Sequence, residues 1–265
     1  MIGLLLPLLL LAQPGSGLPD DVVLPGDSPT PPLENVTDPS RFRAISVVVV
    51  DPGHGGDDIG ARDLVRGAME KDLTLLIAKK VEASFATYAI GTGARLLLTR
   101  DGDVRAATAS RTSLANEARA DLFVSIHVNA SPSPKTRGFQ VAYHDGAGAD
   151  VALARPRDPH AGPLPAQPWI AAQKSREEDS ARFAEIVRES LAAKVALPDR
   201  GVKRLPLSVL EGATCPAVLI EVGYLSNDQE ALALSTGAVQ DAVADAIAEA
   251  VLRMDAVIAA RNPER

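Results

Sequence analysis

The sequence predicts a single-domain α/β protein, with a mostly parallel twisted central sheet flanked by helices. Continuous apolar runs alternate with segments of helical periodicity, which is typical of a parallel sheet covered on both faces. The chain has 265 residues, of which 46% are hydrophobic, and this is enough to bury one such core. We expect the domain to cover residues 44–260.

Predicted strands and helices follow one another along this domain. The first strand covers residues 45–50 and leads into the glycine-rich turn 52–56, where glycines allow the backbone to approach a ligand closely. The remaining strands are predicted at 95–99, 122–127, 138–143, 207–210 and 217–222. Helices are predicted at about 70–85, 106–120, 176–196 and 239–258.

Three segments lie outside these elements. Residues 1–17 contain an apolar run that is too short to span a bilayer and has the length of a signal-peptide core. No basic residue precedes the run, so a disordered apolar terminus or a misplaced start codon is the alternative. Residues 18–43 are predicted to be a Pro-rich linker, and residues 145–173 a Pro-rich surface insertion. We therefore expect an exported protein of the periplasm or cell envelope, without a stable membrane span.

Composition and charge narrow the classes of function. The net charge of −7 shows no basic footprint for nucleic acid, so no nucleic-acid partner is expected. Arg200, Lys203 and Arg204 form a local basic cluster, which we interpret as a solvated turn. Cys215 is the only cysteine, so an intrachain disulfide is excluded. It precedes a proline at the start of an apolar strand, and we interpret it as a core residue rather than a nucleophile.

Four residues with metal-binding or catalytic chemistry stand at the ends of predicted elements. His54 follows the first strand across its turn, His127 and Glu221 end two later strands, and Glu70 begins a helix. Active sites of open α/β sheets lie outside the carboxyl ends of the strands, so these side chains would converge at one edge. Two histidines and one glutamate are a common ligand set of catalytic zinc.

Each of these residues also has an ordinary structural explanation. His54 and His127 would then be a turn histidine and a strand-end histidine, and Glu70 a first-turn acid favoured by the helix dipole. Glu221 is the strongest indication of a functional site, because a carboxylate after four apolar residues is costly to bury unless it is paired or near a metal. Burial would raise its pKa towards the range useful for proton transfer. The alternative is a structural ion pair with an arginine such as Arg100.

These residues lie in four short motifs, which are VVDPGHGG at 49–56, EKD at 70–72, SIHVNA at 125–130 and EVGYLSN at 221–227. In this order the motifs resemble those of the zinc-dependent N-acetylmuramoyl-L-alanine amidases of the amidase-3 type, which are bacterial cell-wall hydrolases. The resemblance implies that His54, Glu70 and His127 bind zinc and that Glu221 is catalytic. It also implies peptidoglycan as the substrate, cleaved at the amide bond between N-acetylmuramic acid and L-alanine in cell-wall remodelling or daughter-cell separation.

Two features depart from that family. Glu211 stands where the family often has a basic residue, which concerns local substrate contacts rather than the metal site. Some relatives carry an inserted helix that covers the zinc until an activator binds. The Pro-rich insertion here matches such a helix poorly, and Glu177, Glu178 and Glu185 beyond it are interpreted as a solvated helix face. We nevertheless expect a protein activator or recruitment factor as a partner.

Other polar residues and other functions stay open at this point. Asn129 and Ser226 either orient ligands or substrate, or make strand-end hydrogen bonds. His144 and His160 are interpreted as surface residues. The alternative functions are a zinc carboxypeptidase or endopeptidase acting on wall peptides, and a non-catalytic wall-binding module.

Overall fold

The computed structural model describes residues 44–145 and 173–261. The predicted signal segment 1–17, the predicted linker 18–43 and the residues 146–172 of the insertion, with His160, lie outside the described residues. Within the described ranges, none of the helices has the length and hydrophobicity that a membrane span requires.

Six strands of the described residues form one sheet in the order β2-β1-β3-β6-β4-β5. Their bounds are Val47–Pro52 for β1, Arg95–Leu98 for β2, Leu122–Asn129 for β3, Phe139–His144 for β4, Asp199–Leu205 for β5 and Ala217–Tyr224 for β6. β1 pairs in parallel with β2 and β3, and β3 pairs in parallel with β6. β4 is antiparallel to β6 and parallel to β5. The mostly parallel sheet is therefore confirmed, and two strands at one side run in the opposite direction.

The direction of β4 and β5 determines which residues meet at each edge of the sheet. β1, β3 and β6 end at one edge, where open α/β sheets place their sites. Because β4 is antiparallel to β6, the first residues of β4 and β5 lie at this same edge.

Helices cover the two faces of the sheet unequally. Their bounds are Glu70–Tyr88 for α1, Thr108–Glu117 for α2, Glu177–Lys194 for α3, Asp228–Leu234 for α4 and Gly237–Arg261 for α5. α1, α3, α4 and α5 contribute to the larger apolar cluster, which also contains Val50, Ile126 and Ile220 of the sheet. On the other face, Ala115 of α2 and Leu210 of a turn cover the sheet in a smaller cluster.

The smaller cluster covers only the first part of its face. It contains Phe123 of β3 and Leu219 of β6. Side chains of a strand alternate between faces, so His127 and Glu221, which lie four and two residues further on, point to this same face. Both are partly exposed within strands that are otherwise almost entirely buried. Among the described residues, the carboxyl-terminal part of this face thus carries polar, partly exposed side chains.

The prediction of a strand at residues 207–210 is wrong. Residues 208–212 form a turn, and Leu210 is buried because it packs under the sheet in the smaller cluster. The sixth strand is instead β5, whose residues are mostly polar and partly or fully exposed. β5 is an edge strand, and charges on an edge protect it from pairing with another chain. Arg200, Lys203 and Arg204 belong to this strand and are exposed, so their interpretation as a turn is wrong.

Smaller differences concern the ends of elements. β3 and β6 continue past His127 and Glu221, so neither residue ends its strand. The short helix α4 was not predicted, and its N-cap is Asn227, whose side chain accepts a hydrogen bond from the Glu230 N–H.

The interpretation of Cys215 as a core residue is confirmed. Cys215 is buried in the smaller cluster, and this burial raises the pKa of its thiol to about 12.

Asp255 near the end of α5 attaches the chain before β1 to the rest of the domain. It is 1% exposed, and its Oδ1 accepts hydrogen bonds from the backbone N–H groups of Ala44 at 3.0 Å and Ile45 at 2.7 Å. We expect Asp255→Ala to lower the free energy of unfolding by about 1–3 kcal/mol, because it leaves buried donors without an acceptor. Urea denaturation followed by circular dichroism measures this. Asp255→Asn, which keeps one oxygen, is the control and should lose less; an unfolding energy of Asp255→Ala equal to the unaltered protein would contradict the prediction.

Candidate metal centre and active site

The turn after β1 holds His54 in an uncommon backbone conformation. His54 has a φ of 61°, in the left-handed region that residues other than glycine seldom adopt. Such a conformation persists where the surrounding structure determines it, and it occurs often at functional sites.

Arg111 of α2 is one of two buried arginines that hold this turn. Its guanidinium donates hydrogen bonds to the carbonyl oxygens of Pro52 at 2.8 Å and His54 at 2.9 Å. It also forms an ion pair of 2.5 Å with Asp51, which is fully buried at the end of β1. Ser125 on β3 donates to the other oxygen of Asp51 at 2.7 Å. The ion pair therefore connects α2, the turn and two strands.

Arg100 holds the same turn from the end of β2. It is 3% exposed, and it donates to the carbonyl oxygens of Pro52 at 2.9 Å, Gly53 at 2.8 Å and Lys71 at 2.8 Å. Thr74 of α1 donates to the Gly53 carbonyl as well, at 2.9 Å. Apart from a bond to the nearby Gly102 carbonyl at 3.1 Å, the bonds of Arg100 thus go to the turn and to the first turn of α1. The alternative of an ion pair between Arg100 and Glu221 is wrong.

Glu70, the first residue of α1, is a buried carboxylate fixed by the backbone. Its Oε2 accepts from the Ala61 N–H at 2.7 Å, and its Oε1 accepts from the Val128 N–H at 2.9 Å. Burial raises the pKa of Glu70, but the hydrogen bonds from His127 and His54 lower it more, and the net result is a pKa of about 2. The carboxylate is therefore ionised at neutral pH, and its two backbone hydrogen bonds hold it in one orientation.

The two imidazoles meet at this carboxylate. His54 Nε2 lies 3.1 Å from Glu70 Oε2, and His127 Nδ1 lies 2.9 Å from Glu70 Oε1. One ligand atom from each residue lies within 4.8 Å of the others. Asp58 Oδ1 contacts the other nitrogen of His54, Nδ1, at 2.9 Å. A carboxylate behind the imidazole in this way is typical of metal-binding histidines, since it orients the ring and turns Nε2 to the metal.

The electrostatics of the cluster favour a cation. Burial lowers the pKa of His54, but the carboxylates of Glu70 and Asp58 raise it more, to a net value of about 9. Protons and metal ions compete for the same nitrogen lone pairs, so a site that attracts protons this strongly also attracts a divalent cation.

Glu221 lies beside this cluster on the neighbouring strand. It is the register partner of His127 in the pairing of β3 with β6. Its Oε2 is buried and has no hydrogen-bond partner among the described residues. Burial raises the pKa of Glu221, the charge of His127 opposes the rise and that of Glu70 adds to it, giving about 7. A buried carboxylate oxygen without a partner is costly and calls for an explanation, which a ligand or a reacting group at this position provides.

The residues present fit a zinc ion. The cluster supplies two imidazole nitrogens and a carboxylate, which is a common three-ligand set of catalytic zinc and leaves a fourth position free. The unpartnered oxygen of Glu221 stands next to it.

Two glycines let the backbone pass directly against the ligands. A methyl group on Gly53 would lie 2.5 Å from the His127 ring, and one on Gly60 would lie 2.5 Å from Glu70 Oε2. Real Cβ atoms do not approach so closely, so any side chain at either position would displace a ligand.

The structure brings the four predicted site residues together and leaves others out. Asn129 Oδ1 accepts from the Ala130 N–H at 2.8 Å, and Ser226 Oγ accepts from the Ser131 N–H at 2.9 Å, which favours the structural explanation for both. His144 ends β4 at the opposite edge, where it is partly buried against the Leu207 backbone.

The acidic residues of α3 are mostly as expected. Glu178 and Glu185 are exposed, as a solvated face requires. Glu177 is partly buried because it pairs with Arg204 of β5, with 2.6 Å between Oε1 and Nη2. Glu211 is exposed in the turn before β6.

Sequence reasoning missed the residues behind the ligands. Asp58 was visible as an acid four residues after His54, which is a signal that the turn itself explains equally well. Arg111 had no such signal, because an arginine in a predicted helix ordinarily lies on the surface.

An α/β sheet with this cluster and an unpartnered carboxylate at its edge has the features of a metal-dependent hydrolase. Residues 48–253 match the family model of N-acetylmuramoyl-L-alanine amidases of the amidase-3 type. AmiA of Escherichia coli strain K12 is 31% identical over 227 residues, which cover 78% of this chain and 75% of AmiA.

Solved structures agree with this match. The catalytic domain of CwlV, an N-acetylmuramoyl-L-alanine amidase from Bacillus (Paenibacillus) polymyxa var. colistinus, has a TM-score of 0.62 and 31% identity over 78% of this chain and 96% of that domain. The CwlD amidase from Clostridioides difficile, solved in complex with the GerS lipoprotein, has a TM-score of 0.63 and 25% identity over 80% of this chain and 99% of CwlD.

The chain belongs to the N-acetylmuramoyl-L-alanine amidase family. The activity of this family is zinc-dependent hydrolysis of the amide bond between N-acetylmuramic acid and L-alanine in peptidoglycan, and its cell-wall enzymes act outside the cytoplasm. The expectations of an enzyme, of this activity, of zinc and of peptidoglycan as substrate are confirmed at the level of the family.

The close contact at Gly53 can be tested directly. We expect Gly53→Ala to weaken zinc binding by about 10-fold or more, because the new methyl displaces the His127 ring. Titration of the metal-free protein with zinc against a competing chelator measures the affinity. Gly102→Ala is the matched control, since a methyl there meets no atom within 4 Å. Equal zinc affinities of the two variants would contradict the prediction.

Proposed function

We propose that His54, Glu70 and His127 bind one zinc ion in this chain and that Glu221 is its catalytic residue. The observation that carries the proposal is the position of Glu221, whose buried and unpartnered oxygen stands beside three convergent ligand atoms. This arrangement separates the three residues already engaged with one another from one carboxylate that is free to react.

Each protein group has a distinct role in the proposed hydrolysis. His54, Glu70 and His127 would hold the zinc ion, which would supply Lewis acidity to activate a water molecule and to polarise the scissile carbonyl group. Glu221 takes a proton from the attacking water on Oε2 and transfers it to the nitrogen of L-alanine as the amide bond breaks. The raised pKa of Glu221, about 7, suits both the acceptance and the return of this proton.

The surrounding residues hold the reacting groups in place. Asp58 orients the His54 ring, and the N–H groups of Ala61 and Val128 orient the Glu70 carboxylate. A site assembled in advance in this way loses little free energy to reorganisation during the reaction.

The role of Glu221 is tested by Glu221→Gln, which keeps the shape of the side chain and removes its basicity. We expect one zinc ion per chain, as in the unaltered protein, and a loss of hydrolysis of about 100-fold or more. Zinc is measured by atomic absorption, and hydrolysis by mass spectrometry of digested peptidoglycan, where an amidase releases intact stem peptides. His127→Ala is the comparison variant and should lose both zinc and activity. Near-normal turnover of Glu221→Gln would sink the proposed role.

The segments outside the described residues are proposed to serve export. We propose that residues 1–17 are a signal peptide, that 18–43 form a linker, and that 44–260 form the catalytic domain with the insertion 145–173. The length of the apolar run and the location of the family's substrate outside the cytoplasm support this. The enzyme would then act in the periplasm or cell envelope, in cell-wall remodelling or daughter-cell separation.

A protein partner is a further part of the proposal. The CwlD amidase, 25% identical to this chain, was solved in complex with the GerS lipoprotein. This supports an activator or recruitment factor for the present chain, although the Pro-rich composition of its insertion differs from a covering helix.

Export is tested by fusing residues 1–43 to alkaline phosphatase, which folds only where disulfides form. We expect phosphatase activity in the periplasm of the host, because the apolar run directs secretion. The matched fusion with residues 18–43 alone should remain inactive. Equal activity of the two fusions, or none in either, would contradict a signal in residues 1–17.

A further inference from the structure

A row of polar side chains crosses three neighbouring strands next to the metal ligands. His127 on β3 is paired with Glu221 on β6, and Glu221 is paired with Gln140 on β4. All three are partly exposed. The residues that flank them on each strand are fully buried apolar residues of the larger cluster, namely Ile126, Val128, Ile220, Val222, Phe139 and Val141. Because side chains alternate along a strand, the three polar residues share the opposite, open face.

Gln140 is the member of this row that the proposed mechanism does not use. Its carboxamide has no hydrogen-bond partner within residues 44–145 and 173–261. Residues directly opposite each other in an antiparallel pair have Cα atoms about 4.5–5.5 Å apart, so the Gln140 and Glu221 side chains border the same space. Gln140 lies on the side of Glu221 away from His127.

The edge strand beyond Gln140 is positively charged at this point. β4 pairs with β5 at Phe139–Asp199 and at Val141–Val202, so Gln140 lies between these pairs, opposite Arg200 and Gly201. Arg200 also donates a hydrogen bond to the Arg137 carbonyl at 3.3 Å. The guanidinium of Arg200 lies over the ring of Tyr224, 5.5 Å from its centroid. Arg200 is exposed at its edge of the sheet. An anionic chain that crosses the row from β6 towards β5 would therefore meet a favourable charge.

We propose that Gln140 binds the stem peptide of the substrate, with its carboxamide hydrogen-bonded to a peptide group beyond the scissile amide. The stem peptide carries both peptide groups and carboxylates, so it matches the amide of Gln140 and the cation of Arg200 in that order. A carboxamide donates and accepts, as a peptide group does, and its neutrality leaves proton transfer at Glu221 undisturbed. This rests on the proposed function, because it places the scissile bond at Glu221.

The binding role differs measurably from a structural one. A side chain without a partner in the folded protein contributes no hydrogen bond to stability, so its replacement by leucine should leave folding intact. In the complex, by contrast, leucine would leave the peptide group of the substrate unpaired. The loss should then appear in KM, and only for substrates that extend beyond L-alanine.

The experiment compares Gln140→Leu with the unaltered zinc enzyme on two soluble substrates, a muramoyl peptide with a complete stem and N-acetylmuramoyl-L-alanine. We expect KM for the complete stem to rise about 10-fold, with kcat changed less than about 2-fold and KM for the short substrate unchanged. Tyr143→Phe, a polar deletion further along β4, is the control and should change neither.

Three other outcomes would overturn the inference. They are an unchanged KM for the complete stem, an equal rise for both substrates, and a loss confined to kcat, which would make Gln140 a positioning residue for Glu221. Zinc content and thermal unfolding of Gln140→Leu, measured alongside, separate binding from misfolding. Failure of the unaltered enzyme to cleave either substrate would instead overturn the proposed function.

Discussion

The buried ion pair between Arg111 and Asp51 is the interaction on which the site depends. Removing one partner of such a pair leaves an uncompensated buried charge, which costs about 3–5 kcal/mol. Here the guanidinium also donates hydrogen bonds to the carbonyl groups of Pro52 and His54 in the turn after β1. The same contacts hold His54 at a φ of 61°, a conformation that an unsupported histidine would leave. Stability and ligand geometry therefore share one network.

Glu70 connects this network to the second histidine. Its two oxygens contact both imidazoles and two backbone N–H groups, so that one carboxylate orients elements far apart in sequence. This density of partners contrasts with Glu221, whose Oε2 has none among the described residues. Burial raises the pKa of both carboxylates, so the contrast follows from their partners: the hydrogen bonds to Glu70 lower its pKa, whereas Glu221 has no such bonds and its pKa stays raised. Two neighbouring acids thus differ in protonation, which is the difference that the proposed roles of ligand and base require.

The unequal covering of the sheet leaves the candidate site partly exposed. Within residues 44–145 and 173–261, helices cover one face along its length, whereas α2 and the turn at 208–212 cover only the first part of the other. The uncovered part carries His127, Glu221 and, because β4 runs in the opposite direction, Gln140 near the start of its strand. β4 and β5 run in the opposite direction to β6, so they begin where β1, β3 and β6 end. Gln140 and Arg200, near the starts of these two strands, therefore lie on the same side of the sheet as the candidate site.

Sequence alone predicted the fold class, which the structure confirms, and the four residues that the structure brings together at the candidate site. It could do so because strand periodicity, local motifs and the cost of a glutamate after an apolar run are all local signals. The strand prediction was wrong at residues 207–210, because apolar side chains there pack from a turn. It missed β5, because the residues of that edge strand are mostly charged and exposed. Only the tertiary structure decided the partners of Arg100 and Arg111, the direction of β4 and the place of Gln140 beside Glu221. These features depend on which distant segments of the chain come together in the fold. Such pairing produces no periodic pattern in the sequence from which it could be predicted.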